Sequence, residues 1–233
     1  MSIEQCHIIM PVKNSLETAE QAIRAIVVGE QVLTIYDDFS LPENAARLDT
    51  LAQELGFELI HLSELTDHPS PNYRWTLIHA QRECITKGQH LIIVESDVTV
   101  RQDTIARLCE RATAGVGMVA AVTVDKQGTI NFPYEYAKGL TADGPCAKRL
   151  SFCCTLLTNE LLQAYDFEQL NPKKSWYDVT ISRLSRQLGF TNILQVTNPV
   201  LHTPHSSRPW KQLKYTHPLR YYWHKLIYGR DKI

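Results

Sequence analysis

The chemistry in this chain gathers in acidic side chains that follow apolar runs. Leu91-Ile92-Ile93-Val94 is an unbroken aliphatic stretch that opens directly onto Glu95-Ser96-Asp97. A run of this kind reads as a strand buried on both faces. In an open parallel sheet, ligands collect at the carboxyl ends of the strands. Two carboxylates there can hold a hard divalent cation through oxygen and leave its other positions to phosphate oxygens and water. Acids after a buried strand are also ordinary turn formers, so other positions must decide. Asp37-Asp38 and Asp178 supply two more acidic groups in comparable settings, and His202 and His205 form a loop pair. No nearby cysteine pair or third histidine completes a tetrahedral zinc set around those histidines. Cys153-Cys154 reads as buried filler.

The elements that must position these residues alternate. Cys6 to Met10 reads as a strand closed by Pro11, Ser15 to Val28 as a helix stopped by Gly29, and Val32 to Tyr36 as a second strand running into Asp37-Asp38-Phe39-Ser40. Ser40 as N-cap, Pro42 in the first turn and Glu43 at the capping-box position start the next helix, which ends at Gly56. Phe57 to Leu62 is a third strand, Asn72 or Tyr73 to Lys87 a helix stopped by Gly88, and His90 to Val94 the fourth strand. A helix from about Asp103 to Ala114 and a strand from Val116 to Val124 follow. This alternation implies a mainly parallel sheet with helices on both faces.

The pattern changes after Asp125. Residues 126 to 150 carry Gly128, Pro133, Gly139 and Gly144-Pro145, which predicts long loops or short antiparallel strands around a cleft. A strand at Ser151 to Leu157, a short helix at Asn159 to Tyr165, a helix from about Asp178 to Leu188 and a strand near Asn192 to Val196 complete the reading. Residues 1–207 are expected to form one domain, in two halves at 1–124 and 125–207.

Composition excludes several classes. The 233 residues carry a net charge of −1, which speaks against a nucleic-acid binder. Charge is unevenly spread: residues 208–233 carry +6, leaving −7 on the rest. From Pro218, the residues Leu219, Tyr222, Trp223, Leu226 and Ile227 share a helical face, with Arg220, His224 and Lys225 elsewhere. This basic, aromatic tail suits either docking on an anionic bilayer or packing as a closing helix. The six cysteines include no C-x-x-C pair and follow no signal peptide, so reduced thiols in a cytoplasmic protein are expected. No apolar run approaches the roughly eighteen residues of a membrane span.

In motif order the chain resembles the family 2 glycosyltransferases of the GT-A fold. Pro11-Val12-Lys13-Asn14 stands where that family has P-V-x-N, Asp37-Asp38-Phe39-Ser40 where it has D-D-x-S, and Glu95-Ser96-Asp97 where it has the metal-binding D-x-D. Tyr177-Asp178, followed by a helix and Gly189-Phe190, matches its E-D motif and G-[YF] pair, and Phe152 to Leu157 its small-residue strand before an acceptor-side helix. Glu95, Tyr177 and Phe39 depart from the family's aspartate, glutamate and frequent glycine.

The resemblance implies that Asp37 or Asp38 binds the nucleotide base and that Pro11 and Asn14 line its pocket. It places Arg74 and Ser96 on the nucleotide-sugar side and makes Asp178 the general base. It also implies Mg²⁺ or Mn²⁺ at Asp97 with Glu95, and His202 or His205 reaching the metal or diphosphate. A nucleoside diphosphate leaves with two phosphates' worth of charge, which a cation neutralises, and a carboxylate base activates a weakly nucleophilic hydroxyl. The expected activity is inverting transfer from a nucleotide-diphosphate sugar to a glycan or lipid-linked acceptor, as in polysaccharide biosynthesis, with the tail at the cytoplasmic face of the membrane. The competing readings are a degenerate nucleotide-sugar binding or scaffold protein and, with less support from the glycine-poor loop after the first strand, a nucleotidyltransferase.

Overall fold

The structure is a computed structural model describing residues 5–27, 32–174, 176–203 and 217–227. Its first half is a run of strand-helix units: β1 (Cys6–Val12), α1 (Leu16–Val27), β2 (Leu33–Asp37), α2 (Pro42–Leu55), β3 (Glu58–His61), α3 (Tyr73–Lys87) and β4 (His90–Val94). The second half holds β5 (Val98–Thr99), α4 (Thr104–Glu110), β6 (Val116–Val124), β7 (Gly144–Pro145), β8 (Cys154–Leu157), α5 (Asn159–Ala164), α6 (Tyr177–Gln187), β9 (Thr191–His202) and α7 (Pro218–Ile227).

All nine described strands join one sheet in the order β3-β2-β1-β4-β8-β6-β9-β5, with β7 beside β9. β3, β2, β1 and β4 run parallel, β8 runs antiparallel between β4 and β6, and β9 is parallel to β6. Successive residues feed opposite faces. Ile8, Met10, Ile92 and Val94 join the core under α1, α2 and α4. Ile9, Leu91 and Ile93 join the one under α3, α5 and α6. A strand covered on both sides needs apolar residues at every position, which explains the unbroken run before Glu95.

Chain order places the site. β2 and β3 lie to one side of β1, and β4 to the other. The direction of winding therefore reverses between β1 and β4, and the crevice outside their carboxyl ends is where open α/β sheets bind ligands. The loop after β1 and the turn Glu95-Ser96-Asp97 both open there.

Three expectations need correction. Ser40 does not cap α2: Leu41 is the N-cap residue and makes no side-chain cap bond. Instead the Ser40 hydroxyl accepts from the Asn14 amide at 2.8 Å. The last strand is far longer than Asn192 to Val196. Its register against β6 slips between Gln195 and Val200, so Thr197-Asn198-Pro199 is absorbed as a bulge and pairing resumes beyond it. His202 is consequently the last residue of β9 and not part of a loop. His205 and Gly29 lie outside the described residues.

Candidate active site

The turn after β4 and the end of β9 build the centre. The Val98 amide donates to the Glu95 carbonyl at 3.0 Å, closing the turn. β5 pairs Val98 with His202, and the Thr203 amide donates to the Asp97 carbonyl at 2.9 Å. His202 Nε2 thereby lies 3.5 Å from Asp97 Oδ2, with the two side chains 4% and 11% exposed. On its other edge, His202 Nδ1 sits 2.7 Å from the Phe132 carbonyl oxygen. A carbonyl only accepts, so Nδ1 carries a proton and the neutral ring would turn the Nε2 lone pair onto a carboxylate. Two electron-rich atoms so placed call for a positive charge, a proton or a metal ion. Burial lowers the basicity of His202, and the Asp97 carboxylate more than restores it, raising it above the ordinary value.

Glu95 adjoins this pair in a different state. Its carboxyl is pushed up to about 7, first by burial and then by the charge of Asp97. Glu95 Oε2 accepts from the Cys153 thiol at 3.3 Å, and burial holds that thiol protonated. Cys153 is buried, as expected, but it touches the site. Among the described residues no group of three or more His, Cys, Asp or Glu side chains is arranged to hold a metal. Asp97 and His202 nevertheless fit a divalent cation that takes one or two protein ligands and completes its shell with phosphate oxygens and water. The Phe132 carbonyl is the kind of outer partner that orients a ligating histidine.

At the ends of β1 and β2, two loops are clasped together. Asn14 Oδ1 accepts from the Leu41 amide at 2.8 Å and from Asn44 Nδ2 at 3.1 Å. Asn14, Ser15 and Phe39 all have left-handed backbones, with φ of 56°, 44° and 59°. Such positions cost on the order of 1–3 kcal/mol each for ordinary residues, and Phe39 is where the resembling family often has glycine. Pro11 is the penultimate residue of β1, and Ser96 is buried in the turn after β4.

The two aspartates after β2 have different surroundings. Asp37 is 2% exposed, and its carboxylate accepts from the Ser40 amide at 3.1 Å and faces His61 Nδ1 at 2.9 Å, which makes it an internal brace of the loop after β2. Asp38 accepts from the Ser70 hydroxyl, the Asn72 amide and Asn72 Nδ2, which ties the loop before α3 to the end of β2. Arg74 joins two segments. Its guanidinium donates to the Leu170 carbonyl at 2.8 Å and to the Glu168 carbonyl, pinning α3 to the segment after α5.

On the acceptor side, Asp178 stands in the first turn of α6. Its charge, like that of Glu95, reaches the Tyr73 phenol, which burial holds firmly protonated. The Tyr73 ring stacks on Phe152 with centroids 6.2 Å apart, and its hydroxyl has no hydrogen-bond partner among the described residues. Arg149 completes this side, its guanidinium carbon 5.0 Å from the Trp176 ring centre and 5.7 Å from that of Phe132. Sequence reasoning missed Tyr73, Cys153, Arg149 and Trp176. A basic pair before an apolar strand and an aromatic beside Asp178 were the only signals.

No protein-family model matches the chain, and no curated protein matches it. Solved structures do. The chain superposes on S. aureus TarS 1–349 with a TM-score of 0.60 at 13% identity, covering 85% of this chain and 60% of that one. Against glucosyl-3-phosphoglycerate synthase from Mycobacterium tuberculosis, in complex with phosphoglyceric acid, the TM-score is 0.57 at 19% identity, covering 90% and 75%. A further structure of that synthase holds Mn²⁺, UDP and glucosyl-3-phosphoglycerate, and matches at 0.55 and 17%. The present chain thus spans three-fifths of TarS 1–349. The likeness shows the fold: the chain has a GT-A-type fold, shared with these structures.

Proposed function

We propose that the chain is a metal-assisted glycosyltransferase that moves a sugar from a nucleoside-diphosphate sugar to an acceptor hydroxyl, with inversion at the sugar carbon. The observation that carries this is the Asp97–His202 pair at the winding reversal of the sheet, its tautomer set by the Phe132 carbonyl. The complexes of the structurally similar synthase with Mn²⁺ and UDP support the same reading. Asp97 and His202 would hold the divalent cation, Mg²⁺ or Mn²⁺, which supplies charge neutralisation to the departing diphosphate. Asp178 would take the proton of the acceptor hydroxyl. The clasped loops at Asn14 and Phe39, with Pro11, Asp38 and Ser96, would receive the nucleotide and its sugar. A glycan or lipid-linked glycan is the acceptor class.

The exposed face of α7 supports work at the cytoplasmic face of a membrane. Leu219, Trp223 and Leu226 are 89%, 62% and 82% exposed beside Arg220 and Lys225, and the tail's excess of basic charge complements an anionic bilayer. Among the described residues no helix is long and apolar enough to cross one.

A thermal-shift screen of UDP, GDP, CDP and dTDP with and without Mn²⁺ tests the central reading. A ligand at a hundredfold excess over its dissociation constant stabilises the folded state by about 2.7 kcal/mol. At least one diphosphate should raise the melting temperature only when Mn²⁺ is present, and Asp97→Asn should abolish the metal-dependent part. A wild type indifferent to all four would remove the proposal. Metal-dependent binding with no turnover of any sugar nucleotide would leave the scaffold reading.

A further inference from the structure

We propose that Arg149 is the cationic centre of an oxyanion subsite between the metal end and the acceptor end of the cleft, taking a phosphate-type group of the substrate. The inference rests on the glycosyltransferase reading and deepens it. Three observations carry it. First, the guanidinium is placed by rings and not by a counter-ion: it lies against Phe132 and Trp176, while no ion pair among the described residues includes it. Aromatic faces fix a guanidinium's plane but leave its N–H edge unused, and that edge matches the paired oxygens of phosphate or carboxylate.

Second, the backbone around Arg149 is bolted down. The Arg149 carbonyl accepts from the Tyr136 hydroxyl at 2.6 Å, and the preceding Lys148 carbonyl accepts from Arg186 at 3.0 Å. The Leu150 amide donates to Ser182 Oγ at 2.9 Å, tying the loop to α6. A cation on so well-held a loop loses little freedom on meeting an anion.

Third, its two rings belong to the two ends of the site. Phe132 offers its carbonyl to His202, which faces Asp97, and Trp176 is the N-cap residue of the helix whose first turn carries Asp178. Arg149 therefore spans the line along which a sugar would pass from diphosphate to acceptor. The same chemistry has two sources, the donor's diphosphate or an anionic group on the acceptor.

Calorimetric titrations of wild type, Arg149→Gln and Arg149→Lys separate the sources, with melting temperatures confirming that each variant is folded. The probes are UDP with Mn²⁺, then inorganic phosphate added to the UDP-loaded protein and, separately, to protein without nucleotide. Loss of one charge-assisted contact should weaken the affected probe by roughly tenfold or more in Arg149→Gln, with partial recovery in Arg149→Lys. A loss seen with UDP assigns the donor diphosphate. Intact UDP binding with lost phosphate binding assigns an acceptor anion. Phosphate and UDP affinities unchanged in a folded Arg149→Gln overturn the subsite. If the wild type binds no UDP, the transferase reading suffers, and phosphate without nucleotide still decides: binding lost in Arg149→Gln upholds the subsite, while equal or absent binding in wild type and variant overturns it.

Discussion

In the proposed reaction Asp178 carries the most demanding role, because its carboxylate would accept a proton from an alcohol in the transition state. It stands in the first turn of α6, where a helix N-terminus favours an anion. Asp178→Asn should lower transfer by ~10² to 10⁴ while leaving the diphosphate-induced thermal shift in place; an undiminished rate would remove it as the base. His61 offers a separate test on the nucleotide side. Burial opposes its charge, and the hydrogen bonds to Asp37 and Asp49 outweigh that and raise it above the ordinary value. A raised histidine lends stability that is complete below its unfolded value of about 6.5 and fades as pH climbs through the higher folded one. The stability advantage of wild type over His61→Gln should therefore shrink between pH 6 and pH 8, and urea melts showing a constant or growing gap would contradict this brace.

Among the elements, α6 and β6 meet through a glycine. A methyl group on Gly117 would fall 2.1 Å from Ser185 Oγ and 2.8 Å from Phe190 Cβ, and that serine is hydrogen-bonded to Asn192 at 2.6 Å. Overpacking of this kind costs about 1–3 kcal/mol. Gly117→Ala should melt several degrees below wild type, at ~2–4 °C per kcal/mol for a chain of this size. An unchanged melting temperature would mean that α6 is not held against β6 as described. The elements also differ in how far they could be read in advance. β4, β6 and α3 were legible because unbroken apolar runs and a glycine stop leave one interpretation, with Gly88 at φ 65° closing α3. β9 was cut short in the reading because Asn198-Pro199 looks like a break, and only a neighbouring strand shows that pairing resumes. The start of α2 was misread because Ser40, an able cap, found a better donor in the Asn14 amide of a distant loop.

At the scale of the whole molecule, charge and exposed apolar area fall at the same end of the chain. Tyr221 is the buried residue of α7, and the five large apolar side chains of its other face are exposed. Trp223→Ala and Leu226→Glu should each reduce co-sedimentation with vesicles containing anionic lipid while leaving the diphosphate shift unchanged, and full retention on vesicles would return α7 to a packing role. What the amino-acid order by itself determined was the alternation of buried strands and glycine-stopped helices, and with it a mainly parallel sheet and the positions of Asp97 and Asp178. These follow from local rules, because burial period, glycine stops and acids after apolar runs act within a few residues. Tertiary structure alone decided what those acids face. That His202 meets Asp97, that Glu95 meets a thiol, that Asp37 turns inward to His61 and that Arg149 is caught between two rings are all contacts between residues far apart in the chain. No periodicity records such contacts, since each depends on strand order, register and one bulge in β9.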